Sequence, residues 1–295
     1  MLSWLFRGRN RMRSARSGRP KRIRLSLEAL ESRYCPSGPA ITAFTASAQG
    51  QGETVLLTGS VSDPGATSIS VNFQGAASGT ATVTNGTFSL QTQATALGTI
   101  SAQATDNSNL VSAQVSTQLS VPPPTITFTV SQEGGHMVLV SGQVTAQEPG
   151  GLTVSLSGVV SATATTGSSG SFSWTGDATS LGQINSTVTD VWGQTGNGNA
   201  QLTDTPPTIT YFRASYQANG GWLFTGEVNA EFATGLTVTL TNVPDVGTVT
   251  VTVGSNSLFS YLDTAAPASA NSTVTATVTD DWGLVSQPIT ATMGS

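Results

Sequence analysis

Basic residues are almost missing from most of this chain. Of eleven lysines and arginines in 295 residues, ten lie before residue 34 and only Arg213 lies beyond it. Charge of either sign is scarce, at 9% of residues, against the usual quarter of a globular protein. Cys35 is the single cysteine, which excludes an intrachain disulfide and a cysteine-based metal cluster. His136 is the single histidine. A two-imidazole metal site is thereby excluded, and any Ser-His-Asp set would depend on that one ring. No run approaches the roughly 18–20 consecutive apolar residues of a membrane helix, so no transmembrane segment is expected. Helical 3.6-residue periodicity is absent after residue 37.

What is present divides into two parts. Residues 1–37 hold ten basic and two acidic side chains, and the remainder holds one basic and fourteen acidic. The chain is a basic leader followed by an acidic body rich in Gly, Ser and Thr, with Val, Ile and Leu recurring among them. That composition suits β-sheet, where branched side chains pack on a pleated surface.

The body repeats itself three times. Pro39, Pro124 and Pro207 each open a Pro-x-Ile-Thr stretch, 85 and 83 residues apart. Gly59-Ser-Val61 returns as Gly142-Gln-Val144 and Gly226-Glu-Val228. Gly86-Thr-Phe88 returns as Gly170-Ser-Phe172 and, less closely, Ser257-Leu-Phe259. Ala104-Thr-Asp106 returns as Val188-Thr-Asp190 and Val278-Thr-Asp280, the last two followed by Trp192-Gly193 and Trp282-Gly283. Copy three reads as seven strands: Ile209–Arg213, Trp222–Val228, Leu236–Leu240, Thr248–Val253, Leu258–Leu262, Thr273–Thr279 and Leu284–Thr292. In the sixth, Val274, Ala276 and Val278 alternate with threonines, the period of a sheet with one buried face. Pro288 cannot donate to a ladder, so the last strand should be an edge or bulged.

Seven short strands in about 85 residues is the rhythm of an immunoglobulin-like sandwich. The expected fold is all-β, with three tandem immunoglobulin-like β-sandwich domains at 38–122, 123–205 and 206–295 after a disordered basic leader, 1–37. The landmark order and the Thr-Asp-x-Trp-Gly turn resemble the bacterial Ig-like repeats of secreted surface proteins. Val121-Pro-Pro-Pro124 and Thr205-Pro-Pro207 form short, stiff junctions, and the expected shape is an extended array whose neighbouring domains nearly touch.

The leader lacks the 7–15-residue apolar region of an ordinary secretory signal. Ile23, Leu27, Leu30 and Tyr34 fall on one face of a short helix that Pro36 would stop. Arg24, Leu25, Leu27, Glu28, Leu30, Glu31, Arg33, Pro36 and Ser37 match Leu-x-Leu-Glu-x-Leu-Glu-x-Arg followed by Pro-Ser. The segment resembles the leader of large exported proteins of planctomycete-type bacteria, and the resemblance implies export or surface sorting. Three other readings compete: a nucleic-acid-binding tail, since Arg neutralises phosphate; a mitochondrial transit peptide; and a solvated tail with no role. The acidic body behind it weighs against nucleic acid as a partner.

Few residues could carry chemistry. His136 follows Gly134-Gly135 and reads as an exposed turn residue. Asp106, Asp190 and Asp280 recur at one turn and could contribute to calcium sites at the junctions, where acids such as Asp190 and Asp204 meet, although calcium wants six to eight oxygens. The simpler reading is that each carboxylate accepts backbone amides within its turn. Trp192 and Trp282 could stack on sugar rings, or each could cover the open end of a sandwich; Ser108 takes their place in copy one. Asn85, Asn185 and Asn271 begin glycosylation sequons of little weight in a bacterial-looking chain. Arg213 should pair with an acid or lie exposed.

No acid–base or nucleophile set clusters, so no enzyme and no cofactor are expected. The reading is an exported, non-enzymatic Ig-like repeat protein at the cell surface or outside it, serving as a structural or adhesive module toward a surface or matrix component, polysaccharide or protein. The alternatives are a carbohydrate- or calcium-dependent binding protein, or an accessory fragment of a larger exported enzyme.

Overall fold

Alternating apolar and polar residues bounded by Gly, Asn and Asp dictate strands and tight turns, and among the described residues the computed structural model contains β-strands and no helix. It describes residues 37–265, 267 and 271–294. The chain divides into Met1–Ser37 and Gly38–Ser295, and all three sandwiches belong to the second unit.

The first sandwich comprises β1 (Ala40–Ala48), β2 (Thr54–Ser62), β3 (Ile69–Gly75), β4 (Gly79–Thr82), β5 (Thr87–Gln93), β6 (Gly98–Asp106) and β7 (Val115–Leu119). The second comprises β8 (Thr125–Gly134), β9 (Met137–Thr145), β10 (Thr153–Gly158), β11 (Ala162–Thr165), β12 (Ser171–Asp177), β13 (Gly182–Thr189) and β14 (Thr195–Leu202). The third comprises β15 (Thr208–Tyr216), β16 (Trp222–Asn229), β17 (Thr237–Val243), β18 (Gly247–Thr252), β19 (Leu258–Asp263), β20 (Thr273–Thr279) and β21 (Ile289–Thr292). Each pairs a three-stranded sheet with a four-stranded one, β1-β2-β5 against β4-β3-β6-β7 and likewise in the other two. The fourth strand pairs with the third, whereas in antibody constant domains it joins the other sheet. An odd number of antiparallel passes brings the chain in at one end of each sandwich and out at the other.

The repeated landmarks turn out to be one contact. Gly59 pairs with Phe88, Gly142 with Phe172 and Gly226 with Phe259 across the three-stranded sheet. A Cβ on these glycines would lie 2.4 Å from Phe88, 2.7 Å from Phe172 and 2.3 Å from Phe259. The aromatic ring packs against the bare backbone, and a side chain on the glycine would collide with it. Around this contact each sandwich builds its own core. Val55, Leu57, Val71 and Ile100 are fully buried in the first, as are Val138, Val140, Val154 and Ile184 in the second. Phe224, Val238, Leu240, Val274, Ala276 and Val278 are fully buried in the third. At about 25 cal/mol per Å² of apolar surface, these alternating faces are the main source of stability.

The last strand of copy three is shorter than the alternation suggests. β21 starts at Ile289, and Val285 makes only an isolated bridge to Thr279. Between them the Ser286 side chain takes over a ladder position: Oγ accepts from Val278 N at 3.0 Å while Ser286 N donates to Val278 O at 2.9 Å. Ser112 does the same at Ala104 in copy one. Pro288, which has no N–H, falls in the resulting break at an edge strand.

Candidate functional site

The turn between the sixth and seventh strands has the same backbone in all three sandwiches. Asp106 Oδ1 accepts from Ser108 N and Leu110 N, each at 2.8 Å. Asp190 Oδ1 accepts from Trp192 N at 2.9 Å and Gln194 N at 2.8 Å. Asp280 Oδ1 accepts from Trp282 N at 2.9 Å and Leu284 N at 2.7 Å. The residue three beyond each Asp is left-handed, with φ 62° at Asn109, 75° at Gly193 and 80° at Gly283, which suits Asn and Gly. The residue two beyond each Asp is Ser108 in the first copy and Trp192 and Trp282 in the other two, and its side chain sets what the turn reaches.

Trp192, carried by the second sandwich, packs against the core of the first. Trp282, carried by the third, packs against the core of the second. Each ring covers the end of the preceding sandwich, not its own. The first sandwich follows no other sandwich in this sequence and carries Ser108 at the position.

A second residue follows the same rule. Glu148, in the β9–β10 connection, accepts a hydrogen bond from Gly52 N in the β1–β2 hairpin of the first sandwich. Phe232, at the matching place in the β16–β17 connection, lies against Gly134 in the β8–β9 hairpin of the second; a Cβ there would be 3.5 Å from its ring. The first sandwich has Gly65 at that place.

The second junction is the more elaborate. The Trp282 indole Nε1 donates to Gln132 Oε1 at 2.8 Å. His136 stacks on the same indole, ring centroids 4.5 Å apart and 20° from parallel, and its Nε2 bonds the Asp281 carbonyl at 2.8 Å. A carbonyl only accepts, so Nε2 carries a proton there. The lone histidine, read from sequence as an exposed turn residue, is exposed but tied across the junction. In the first junction Trp192 Nε1 is buried with no partner, while Gln194 Nε2 donates to Val121 O at 3.0 Å. A groove of ≈ 580 Å³ beside it, lined by Ala46, Ala48, Val121, Pro122 and Ala146, has no charged residue in its wall.

The remaining candidates are placed as follows. Among the described residues no group of three or more His, Cys, Asp or Glu is arranged to hold a metal ion. Arg213 is exposed, its guanidinium 5.6 Å from the Tyr211 ring centroid. Ser37 is exposed and outside any strand. Arg24, Leu25, Leu27, Glu28, Leu30, Glu31, Arg33 and Pro36 lie outside the described residues. Among the described residues no helix is long and apolar enough to cross a membrane.

No protein-family profile matches the chain, and no curated protein matches it in sequence. Several solved structures are similar. A tetra-tandem repeat from the extending region of a large adhesion protein is 21% identical, covering 87% of this chain and 74% of that one, with a TM-score of 0.33. A structure concerned with host cell surface retention of a 1.5-MDa bacterial ice-binding adhesin is 21% identical, covering 84% and 92%, with a TM-score of 0.28. A Ca²⁺-stabilised ice-binding adhesin of an Antarctic bacterium is 19% identical, covering 88% and 73%, with a TM-score of 0.26.

Proposed function

We propose that the chain is an exported, non-enzymatic array of Ig-like sandwiches working at the cell surface or in the surrounding matrix as a structural and adhesive module. The observation that carries this reading is the use made of the reactive-looking side chains. The one histidine and both turn tryptophans lock one sandwich to the next. One oxygen of each turn carboxylate is taken by two backbone amides of its own turn. These side chains serve to fix neighbouring backbone and neighbouring sandwiches.

Such an array acts mechanically. Coupled sandwiches keep their outward loops in fixed relative positions, and weak contacts repeated along the chain add through effective concentration. Its partner is a surface or matrix component, polysaccharide or protein. Sugar stacking would need an open indole face, and all four described tryptophans pack against a core. Protein or polysaccharide contact through the polar loops is therefore favoured over a tryptophan platform.

The test is localisation. A tagged chain in its own cells should be found outside the inner membrane, accessible to added protease or in the medium. A chain held in the cytoplasm at steady state would overturn the reading.

A further inference from the structure

The junctions have a direction. The following sandwich supplies a tryptophan and a loop residue, and the preceding one supplies the end of its first hairpin. That end is defined by one cross-strand pair: Ala48 with Val55 in the first sandwich, Gln132 with Val138 in the second, and Tyr216 with Trp222 in the third. In the first two the inner residue is a valine, and an indole arriving from the next sandwich completes the end. In the third, the valine position holds Trp222.

Trp222 is 2% exposed and belongs to the core of its own sandwich. Its Nε1 donates to Pro267 O at 3.0 Å, within the connection between β19 and β20. Tyr216, in the position from which Gln132 receives the Trp282 indole, turns its ring edge to Trp222 at 5.6 Å. The third sandwich thus carries the three parts of a closed junction, namely an indole, a hydrogen-bond acceptor for it and a side chain beside it, all within itself.

We propose that the third sandwich carries a built-in cap: Trp222 closes from inside the end that Trp192 and Trp282 close from outside, and this end does not accept the Trp turn of another copy. At the other extreme the first sandwich lacks both donor residues, having Ser108 and Gly65 in their places. An interface that joins unlike surfaces head to tail builds open filaments unless something ends it. Here Ser108 and Gly65 stand in the donor places and Trp222 occupies the acceptor, so copies of this chain do not join head to tail.

The test supplies the missing donor to the full chain. Ser108→Trp with Gly65→Phe should leave the 30.1 kDa protein monomeric in sedimentation, even near 1 mM, the effective concentration a short linker provides within one chain. Adding Tyr216→Gln and Trp222→Val opens the acceptor end, and this fourfold variant should associate with rising concentration. Association of the first variant overturns the proposal, as does a folded fourfold variant that stays monomeric. The unmodified chain supplies a test free of any folding defect. The Trp222 indole proton should exchange with solvent at least as slowly as that of Trp282, and complete exchange within the mixing time overturns the cap.

Discussion

Trp282 and Gln132 are 150 residues apart, in different sandwiches, and joined by one hydrogen bond from indole to side-chain amide. The same indole stacks on His136. Three side chains of ordinary type thereby make a specific joint, and removing the indole removes all its contacts together.

Trp282→Ala should loosen the β8–β9 hairpin of the second sandwich. Full burial of a Trp is worth about 3–5 kcal/mol on truncation; this ring is half-buried, so about 2 kcal/mol is expected. Amide exchange at Gly134–Val138 should accelerate roughly ten- to thirtyfold, since 1.4 kcal/mol is tenfold. Ser108→Ala, at the matching turn of the first sandwich, should change nothing beyond about 0.5 kcal/mol. Equal exchange in Trp282→Ala and the parent chain would show that the joint is incidental.

Ala48→Gln should strengthen the first junction. Ala48 holds the register position of Gln132, and Trp192 Nε1 is buried without a partner. A glutamine there offers the acceptor that Trp282 already has. The gain should be about 0.5–1.5 kcal/mol, with slower exchange of the Trp192 indole proton. Unchanged indole exchange contradicts the equivalence of the two junctions.

Ser257→Gly should raise the melting midpoint of the third sandwich. Ser257 sits at φ 63°, where copies one and two have Gly86 at 76° and Gly170 at 87°. A left-handed L-residue costs roughly 1–2 kcal/mol, offset in part by the greater freedom of glycine in the unfolded chain. A net gain of about 0.5–1 kcal/mol corresponds to roughly 2–8 °C for a domain of this size. A lower midpoint would show that the serine makes a contact that outweighs its strain.

Leu27→Asp with Leu30→Asp should strand the chain in the cytoplasm with its body folded. The pair destroys the apolar face formed with Ile23 and Tyr34 in the sequence pattern and leaves the arginines in place. Near-parental circular dichroism together with loss of the exported fraction is the expected result. Export at the parental level refutes a sorting role for the segment.

Much of the fold was legible because each landmark serves a local need. Alternation at Thr273–Thr279 specifies a half-buried strand whatever surrounds it, and Val274, Ala276 and Val278 are fully buried there. Asp before a left-handed Gly specifies its turn through bonds two and four residues away. The start of the last strand was less legible. Ser286 can accept a ladder hydrogen bond only because β20 lies beside it, and periodicity does not report such a substitution.

The sequence by itself determined three copies of one β-sandwich, the strands within them and the split between a basic leader and an acidic body. Those properties follow from periodicity, short-range hydrogen bonding and composition, which act within a few residues. Tertiary structure decided the destination of the tryptophans. Trp192, Trp222 and Trp282 are alike as letters in an apolar pattern, yet two bury themselves in a neighbour and one in its own sandwich. The difference arises because Val55 and Val138 leave an end incomplete where Trp222 fills it, and that comparison exists only once each hairpin is folded against its partner.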